Sequence, residues 1–141
     1  FMMTITGAPC IYYGDEIGMG GEHDPSCRKS FSWDEHKWDK DLLGYFKEII
    51  ALRTKNPAFR RGEMKRIWSA NGVYAYSRSF EGNTFIVALN VSESPQQIHV
   101  THETHPSTKK NLHAVHGIAH DIIIEERLKF TIPARSGVVL K

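Results

Sequence analysis

Cysteine is scarce in this chain: Cys10 and Cys27 are the only two among 141 residues. Two cysteines build no disulfide framework, and their spacing is not that of a C-x-x-C metal motif, so the simplest reading is two free thiols. An excess of charge of one sign is also lacking. Eighteen Lys and Arg stand against sixteen Asp and Glu, a net charge of +2, with the basic side chains scattered, which argues against nucleic acid as a partner. No apolar run reaches the roughly 20 residues of a membrane helix, so no membrane partner is expected. The chain opens Phe-Met-Met-Thr, without the basic region and small-residue cleavage site of a leader, and a cytoplasmic rather than secreted location is the expectation. It lacks a G-x-G-x-x-G, a Walker loop and a G-x-S-x-G, and no cofactor is expected. What is present, 40% apolar and 24% charged residues, is the composition of a globular domain.

The texture of the chain changes twice. Phe1 to Trp38 is rich in Gly, aromatic and charged residues, with little periodicity. Within it, Ala8 to Tyr13 is short, apolar and aromatic-rich, which predicts a strand buried on both faces. Gly14, Gly18, Gly20, Gly21 and Pro25 then predict a long irregular loop. From Asp39 to Lys55 the apolar residues Leu42, Phe46, Ile49 and Ile50 recur at helical spacing, and Arg53 continues the same stripe. Asp39 suits the N-cap, Asp41 the first turn, and Arg53 and Lys55 the last turn before Asn56-Pro57 ends the helix. Gly44 costs such a helix about 1 kcal/mol relative to Ala, which predicts a close packing contact at that position.

Beyond Arg61 the pattern is β. Val73 to Phe80 and Thr84 to Asn90 are strand-like runs joined by the hairpin signal Glu81-Gly82-Asn83. Tyr74, Tyr76 and Phe80 fall on one face of the first run, Ala75 and Ser77 on the other. Phe85 to Leu89 is nearly all apolar, as in a central strand. Shorter strands are expected at Gln97 to Val100, Leu112 to His116, Leu128 to Ile132 and Gly137 to Leu140. The expected fold class is mainly β: an antiparallel Greek-key-type β-sandwich preceded by one amphipathic α-helix, whose stripe adds to a small core.

Asp15 and Glu16 are the conspicuous acids. Glycoside hydrolysis needs two carboxylates facing each other across a sugar, roughly 5 to 10 Å apart. Neighbours on an extended strand point to opposite faces, so these two cannot share one site, and one of them is expected to tie the strand end to nearby backbone or an Arg. His99, His102 and His105, with His113, His116 and His120, sit among strand and loop signals rather than on a helix face, and read as surface histidines in preference to a zinc site. Trp68, Tyr74, Tyr76 and Phe80 suit a core more than a sugar platform. Arg60, Arg61, Lys65 and Arg66 read as a solvated interdomain edge.

GAPCIYYGDEIGMGGEHDPSCRKSFSWDE, Gly7 to Glu35, resembles the segment after the seventh barrel strand of α-amylase-family glycoside hydrolases, above all the cyclomaltodextrinase, neopullulanase and maltogenic amylase branch. Asp24-Pro25-Ser26-Cys27-Arg28 and Trp33-Asp34-Glu35 follow that branch in order and spacing. LRTKNPAFRRGE is similar to the last barrel helix, and VYAYSRSF, FIVALNVS and FTIPARSGVVLK to the C-terminal sandwich. The resemblance implies a remnant of a (β/α)8 barrel over residues 1–60 and a C-terminal β-sandwich over residues 61–141, cut from a longer protein. It implies a retaining α-glucan hydrolase acting on α-1,4 links of cyclodextrin, pullulan or maltooligosaccharide. The three working carboxylates of the family would precede Phe1, so no catalytic residue is assigned in this chain and the chain alone is expected to be inactive. Asp24 and Arg28 are the expected substrate-binding residues, against the alternative of an ion pair that stabilises the loop. One strand cannot close a barrel, so Phe1 to Trp38 is expected to be irregular, packed abnormally or paired through open edges with another copy. The competing reading is a stand-alone, non-catalytic sandwich for carbohydrate binding or assembly, which requires an exposed row of aromatics that includes Trp68, Tyr74 and Tyr76.

Overall fold

The computed structural model of the chain describes residues 1–101, 112–125 and 127–141. Helix α1 (Lys40–Lys55) begins where the sequence places it. Asp39 is the N-cap, and its carboxylate accepts from the Leu42 backbone N–H at 2.9 Å. Pro57 cannot continue α1, because its ring would clash with a preceding carbonyl, but it suits a first helical position. It opens the short helix α2 (Pro57–Arg61), which buries Ala58 and Phe59.

Eight strands follow: β1 (Glu63–Ala70), β2 (Val73–Phe80), β3 (Asn83–Asn90), β4 (Gln96–Thr101), β5 (Ala114–Gly117), β6 (His120–Ile124), β7 (Arg127–Ile132) and β8 (Ser136–Leu140). They form a five-stranded sheet in the order β1-β2-β3-β8-β5 and a three-stranded sheet in the order β4-β7-β6, with every pair antiparallel. The chain changes sheets after β3, β4, β5 and β7, and the last strand returns to lie between β3 and β5. This is the expected mainly β sandwich, with connections of the Greek-key type.

Pleating of β2 sorts its side chains between two cores. Val73 and Ala75 face the other sheet, where they meet Ile86, Ala88, Ile98, Val100, Leu128, Phe130, Ile132, Val138 and Leu140. Tyr76 faces the helices and packs with Phe59, Phe85, Val87 and Val139. Phe85 to Leu89 is a near-continuous apolar run because β3 is covered on both faces, by the second sheet and by the helices. Each fully buried Phe or Ile contributes roughly 1.5–3 kcal/mol.

Two hairpins are closed by two-residue turns in the left-handed region, Asn71-Gly72 (φ 53° and 73°) and Glu81-Gly82 (φ 47° and 77°). Such turns match the twist of the flanking strands, and the second makes Asn83 the partner of Phe80 rather than part of the loop.

Two expectations are corrected, and two strands are added. Ala8 to Tyr13 is not a strand: it is extended, unpaired chain, with Tyr12 51% and Tyr13 42% exposed. An apolar run becomes a strand only where a neighbour accepts its backbone hydrogen bonds, and none lies beside it among the described residues. Gly44 has no close contact, since a Cβ there would meet nothing within 4 Å. β1, which includes Lys65 and Arg66, was not foreseen as a strand, nor was β6. β1 is an edge strand whose charged residues face solvent, so its sequence shows no apolar alternation. β6 is short, and its pairing with β7 is interrupted between His120 and Ile123.

Candidate functional site

The glycine-rich segment from Ala8 to Trp38 contains no strand and three short 3₁₀ turns, at Asp15–Ile17, Ser26–Arg28 and Glu35–Lys37. Gly14 (φ 91°) supplies the left-handed residue before the first turn. The Glu16 carboxylate accepts from the Gly14 backbone N–H at 2.9 Å, so of the two adjacent acids Glu16 ties down local backbone. Ile17 is buried, and its carbonyl accepts from Asp39 N–H at 3.1 Å, which fastens this turn to the start of α1.

From that anchor the chain runs out into an exposed loop. Lys29 Nζ donates to the Gly20 carbonyl at 2.8 Å, and Tyr13 Oη donates to the Lys29 carbonyl at 2.7 Å. The loop thus closes on itself across a hollow of about 140 Å³, lined by Tyr12, Tyr13, Asp15, Met19, Gly20, Gly21, Ser26, Cys27 and Lys29. The Tyr12 phenol is pushed above the usual tyrosine value, first by hydrogen bonding with Tyr13.

Asp24 and Arg28 are brought together. Arg28 Nε donates to Asp24 Oδ1 at 2.9 Å and Nη2 donates to both carboxylate oxygens. Their side chains are 65% and 61% exposed, so the pair adds at most about 1 kcal/mol to stability. The fork geometry leaves Arg28 Nη1 and the outer faces of both groups toward solvent, where a guanidinium and a carboxylate can bond vicinal hydroxyls.

The other candidates do not assemble. Cys10 and Cys27 are both exposed free thiols. His102 and His105 lie outside the described residues. His116 stacks near the Tyr45 ring, 5.5 Å between centroids, and His99 lies beside Glu125, Arg127 and Lys129 on the outer sheet. Among the described residues no three His, Cys, Asp or Glu gather as metal ligands. Tyr76 is fully buried, while Trp68, Tyr74 and Phe80 are half-buried against the two cores, so the sandwich presents no open aromatic row from these residues.

Two buried arginines went unrecognised as anchors in the sequence. Arg53 and Arg78 are 8% and 1% exposed, and both bond carbonyls of the Phe1–Gly7 segment. Arg78 shares the β2 face with Tyr74, Tyr76 and Phe80; a cation on an apolar stripe is the signal that would have found it, and it was passed over.

Comparison with known proteins bears on the whole chain. Residues 62–140 match the family model described as the α-amylase C-terminal domain. The chain is 41% identical over 100 residues to the cyclomaltodextrinase of Geobacillus thermopakistaniensis, covering 70% of this chain and 17% of that protein. It is 41% identical over 93 residues to neopullulanase 2 of Thermoactinomyces vulgaris, covering 64% and 16%. The crystal structure of the debranching enzyme from Nostoc punctiforme superposes with a TM-score of 0.88 at 30% identity, over 99% of this chain and 29% of that one. The chain therefore spans less than a fifth of the length of these curated relatives.

Proposed function

The chain belongs to the family of α-amylase C-terminal domains, and on that premise we propose that it is the C-terminal part of a retaining α-glucan hydrolase. Residues 1–60 are then the end of the (β/α)8 barrel and residues 61–141 the sandwich that follows it. The parent enzyme cleaves α-1,4 links of cyclodextrin, pullulan or maltooligosaccharide through a covalent glycosyl-enzyme. One observation carries this reading: the likeness to the debranching enzyme extends over 99% of the chain, the loop as well as the sandwich. The likeness to a cyclomaltodextrinase and a neopullulanase agrees with it.

In this proposal the chain supplies none of the catalytic carboxylates. Asp24 and Arg28 are its glucan contacts, and their exposed, doubly bonded pairing presents both heads to a sugar. The test has two arms. The purified 141-residue chain should not turn over β-cyclodextrin or a chromogenic maltoside, whereas turnover would mean that its own acids do the chemistry. Maltotriose binding to the chain, followed by NMR, should weaken about tenfold in Asp24→Asn and Arg28→Met, the loss of one charge-assisted contact. Binding unchanged in both variants removes the loop from the site.

A further inference from the structure

Arg78 lies on β2, is 1% exposed, and its fork reaches three carbonyls on two other segments, the Phe1–Gly7 stretch and the end of α2. Nη1 donates to the Thr4 carbonyl at 2.6 Å, and Nη2 donates to the carbonyls of Phe59 and Gly62, each at 3.1 Å. Nε has no partner. None of the ion pairs among the described residues includes Arg78. A buried cation bonded only to neutral carbonyls is a costly way to fill space, which an apolar side chain of similar volume does better. What a guanidinium offers instead is a rigid, planar set of donors that fixes its acceptors relative to one another.

Its partner in this is Arg53 on α1. Arg53 Nη1 donates to Met3 O at 3.0 Å and to Ile5 O at 3.2 Å, and Nη2 donates to Gly7 O at 2.5 Å. The two arginines thus take the carbonyls of Met3, Thr4, Ile5 and Gly7, a stretch in neither helix nor strand, whose carbonyls have no ladder to join. Thr4 adds a side-chain link, its hydroxyl lying 2.6 Å from the Tyr76 hydroxyl. Gly7 leads directly into the Ala8–Arg28 loop.

We propose that Arg78 and Arg53 form a two-sided clamp that holds the Phe1–Gly7 segment in one register on the sandwich and α1, and that Arg78 is thereby a positioning residue for the loop carrying Asp24 and Arg28. Only the second clause rests on the glucan reading. The clamp itself is a statement about backbone carbonyls.

Hydrogen exchange tests it on the whole 141-residue chain. In the native protein the Thr4 and Ile5 amides are bonded to Phe1 O at 2.9 and 3.1 Å. In Arg78→Met they should exchange about tenfold faster, while amides of β3, β7 and β8 keep their protection, because opening is local to the clamped segment. Arg78→Lys should behave the same way, since an ammonium donates from one atom and cannot reach both Thr4 and the end of α2. Millimolar methylguanidinium should restore protection in Arg78→Ala. Should the Arg78 variants not fold, Arg53→Gln reads the same peptides from the other side and should loosen them alone. Native exchange at Thr4 and Ile5 in folded Arg78→Met, full protection in Arg78→Lys, no effect of methylguanidinium, or loosening spread evenly over the sandwich would each overturn the clamp. Maltotriose binding separates the two readings. Weaker binding by Arg78→Lys with Asp24 and Arg28 intact supports positioning, and unaltered binding overturns it. A native chain that binds no maltotriose fails the glucan proposal and leaves the exchange result standing.

Discussion

Asn90, at the end of β3, is 2% exposed and uses its whole amide. Its Nδ2 donates to the carbonyls of Ser94, Ile132 and Pro133, and its Oδ1 accepts from the backbone N–H and hydroxyl of Ser92. One side chain thereby pins the β3–β4 and β7–β8 connections together. Asn90→Asp turns the donor end into an oxygen facing three carbonyls, and should cost about 3 kcal/mol in urea unfolding. The deficit should shrink as pH falls, because the buried carboxyl gains a proton and with it a donor. Tyr76 titrates at the other extreme. Burial holds its phenol above the ordinary tyrosine value, so the folded state keeps that proton more tightly than the unfolded chain. The sign follows: its contribution is complete below about pH 10 and is lost as pH rises through the folded value. Tyr76→Phe should therefore flatten the alkaline limb of the stability profile measured by denaturant midpoints. Neither role was legible in sequence, because the partners of Asn90 lie as far as 43 residues away and the Thr4 hydroxyl that meets Tyr76 is 72 residues away.

At the scale of elements, local signals were legible and tertiary ones were not. α1 and its cap at Asp39 follow from spacing and residue chemistry within a few positions. β2 and β3 follow from alternation and from a hairpin turn. β1 was hidden because its half-buried residues Met64, Ile67 and Trp68 do not alternate regularly among the exposed charged ones of an edge strand, although Asn71-Gly72 marks its end. Ala8 to Tyr13 misled for the opposite reason: it has the composition of a buried strand and nothing here to pair with. Gly44 gives the element-scale prediction. It is exposed in the middle of α1, and a Cβ meets no neighbour, so Gly44→Ala should stabilise the chain by about 0.5–1 kcal/mol, read from the shift in urea midpoint. A loss of stability would mean that a methyl group at this position does meet a neighbour within the folded chain.

The whole molecule is a sheet with two covers, and the cover on the helix side is short. α2 brings Phe59, fully buried, against the Phe85 ring at 4.7 Å between centroids. The family match begins at residue 62, after this contact. A chain cut to begin at Asn56 should keep a cooperative thermal transition, whereas one beginning at Gly62 loses Phe59 and Ala58 and should be less stable by about 3–5 kcal/mol. Equal stability of the two would place the folding unit at the family boundary instead. Of the candidate site, the ion pair of Asp24 with Arg28 was present in the sequence reading only as the alternative to substrate binding, and the structure forms that pair. The buried arginines that fasten the entrance to that loop were not legible.

The Asn71-Gly72 turn has a consequence in chemical time. A glycine offers no side chain to hinder its own backbone nitrogen from attacking the Asn71 side-chain amide carbon; ammonia leaves, and water reopens the cyclic imide largely to an isoaspartyl linkage. That linkage adds one carbon to the main chain at the point where β1 turns back on β2. Every pair from Glu63↔Ser79 to Ala70↔Val73 joins a residue before that linkage to one after it, so ageing at a single amide would distort the turn on which the pairing of an entire edge strand depends. Peptide mapping of a stored sample would date the damage, and β1 would be the strand on which the protein grows old.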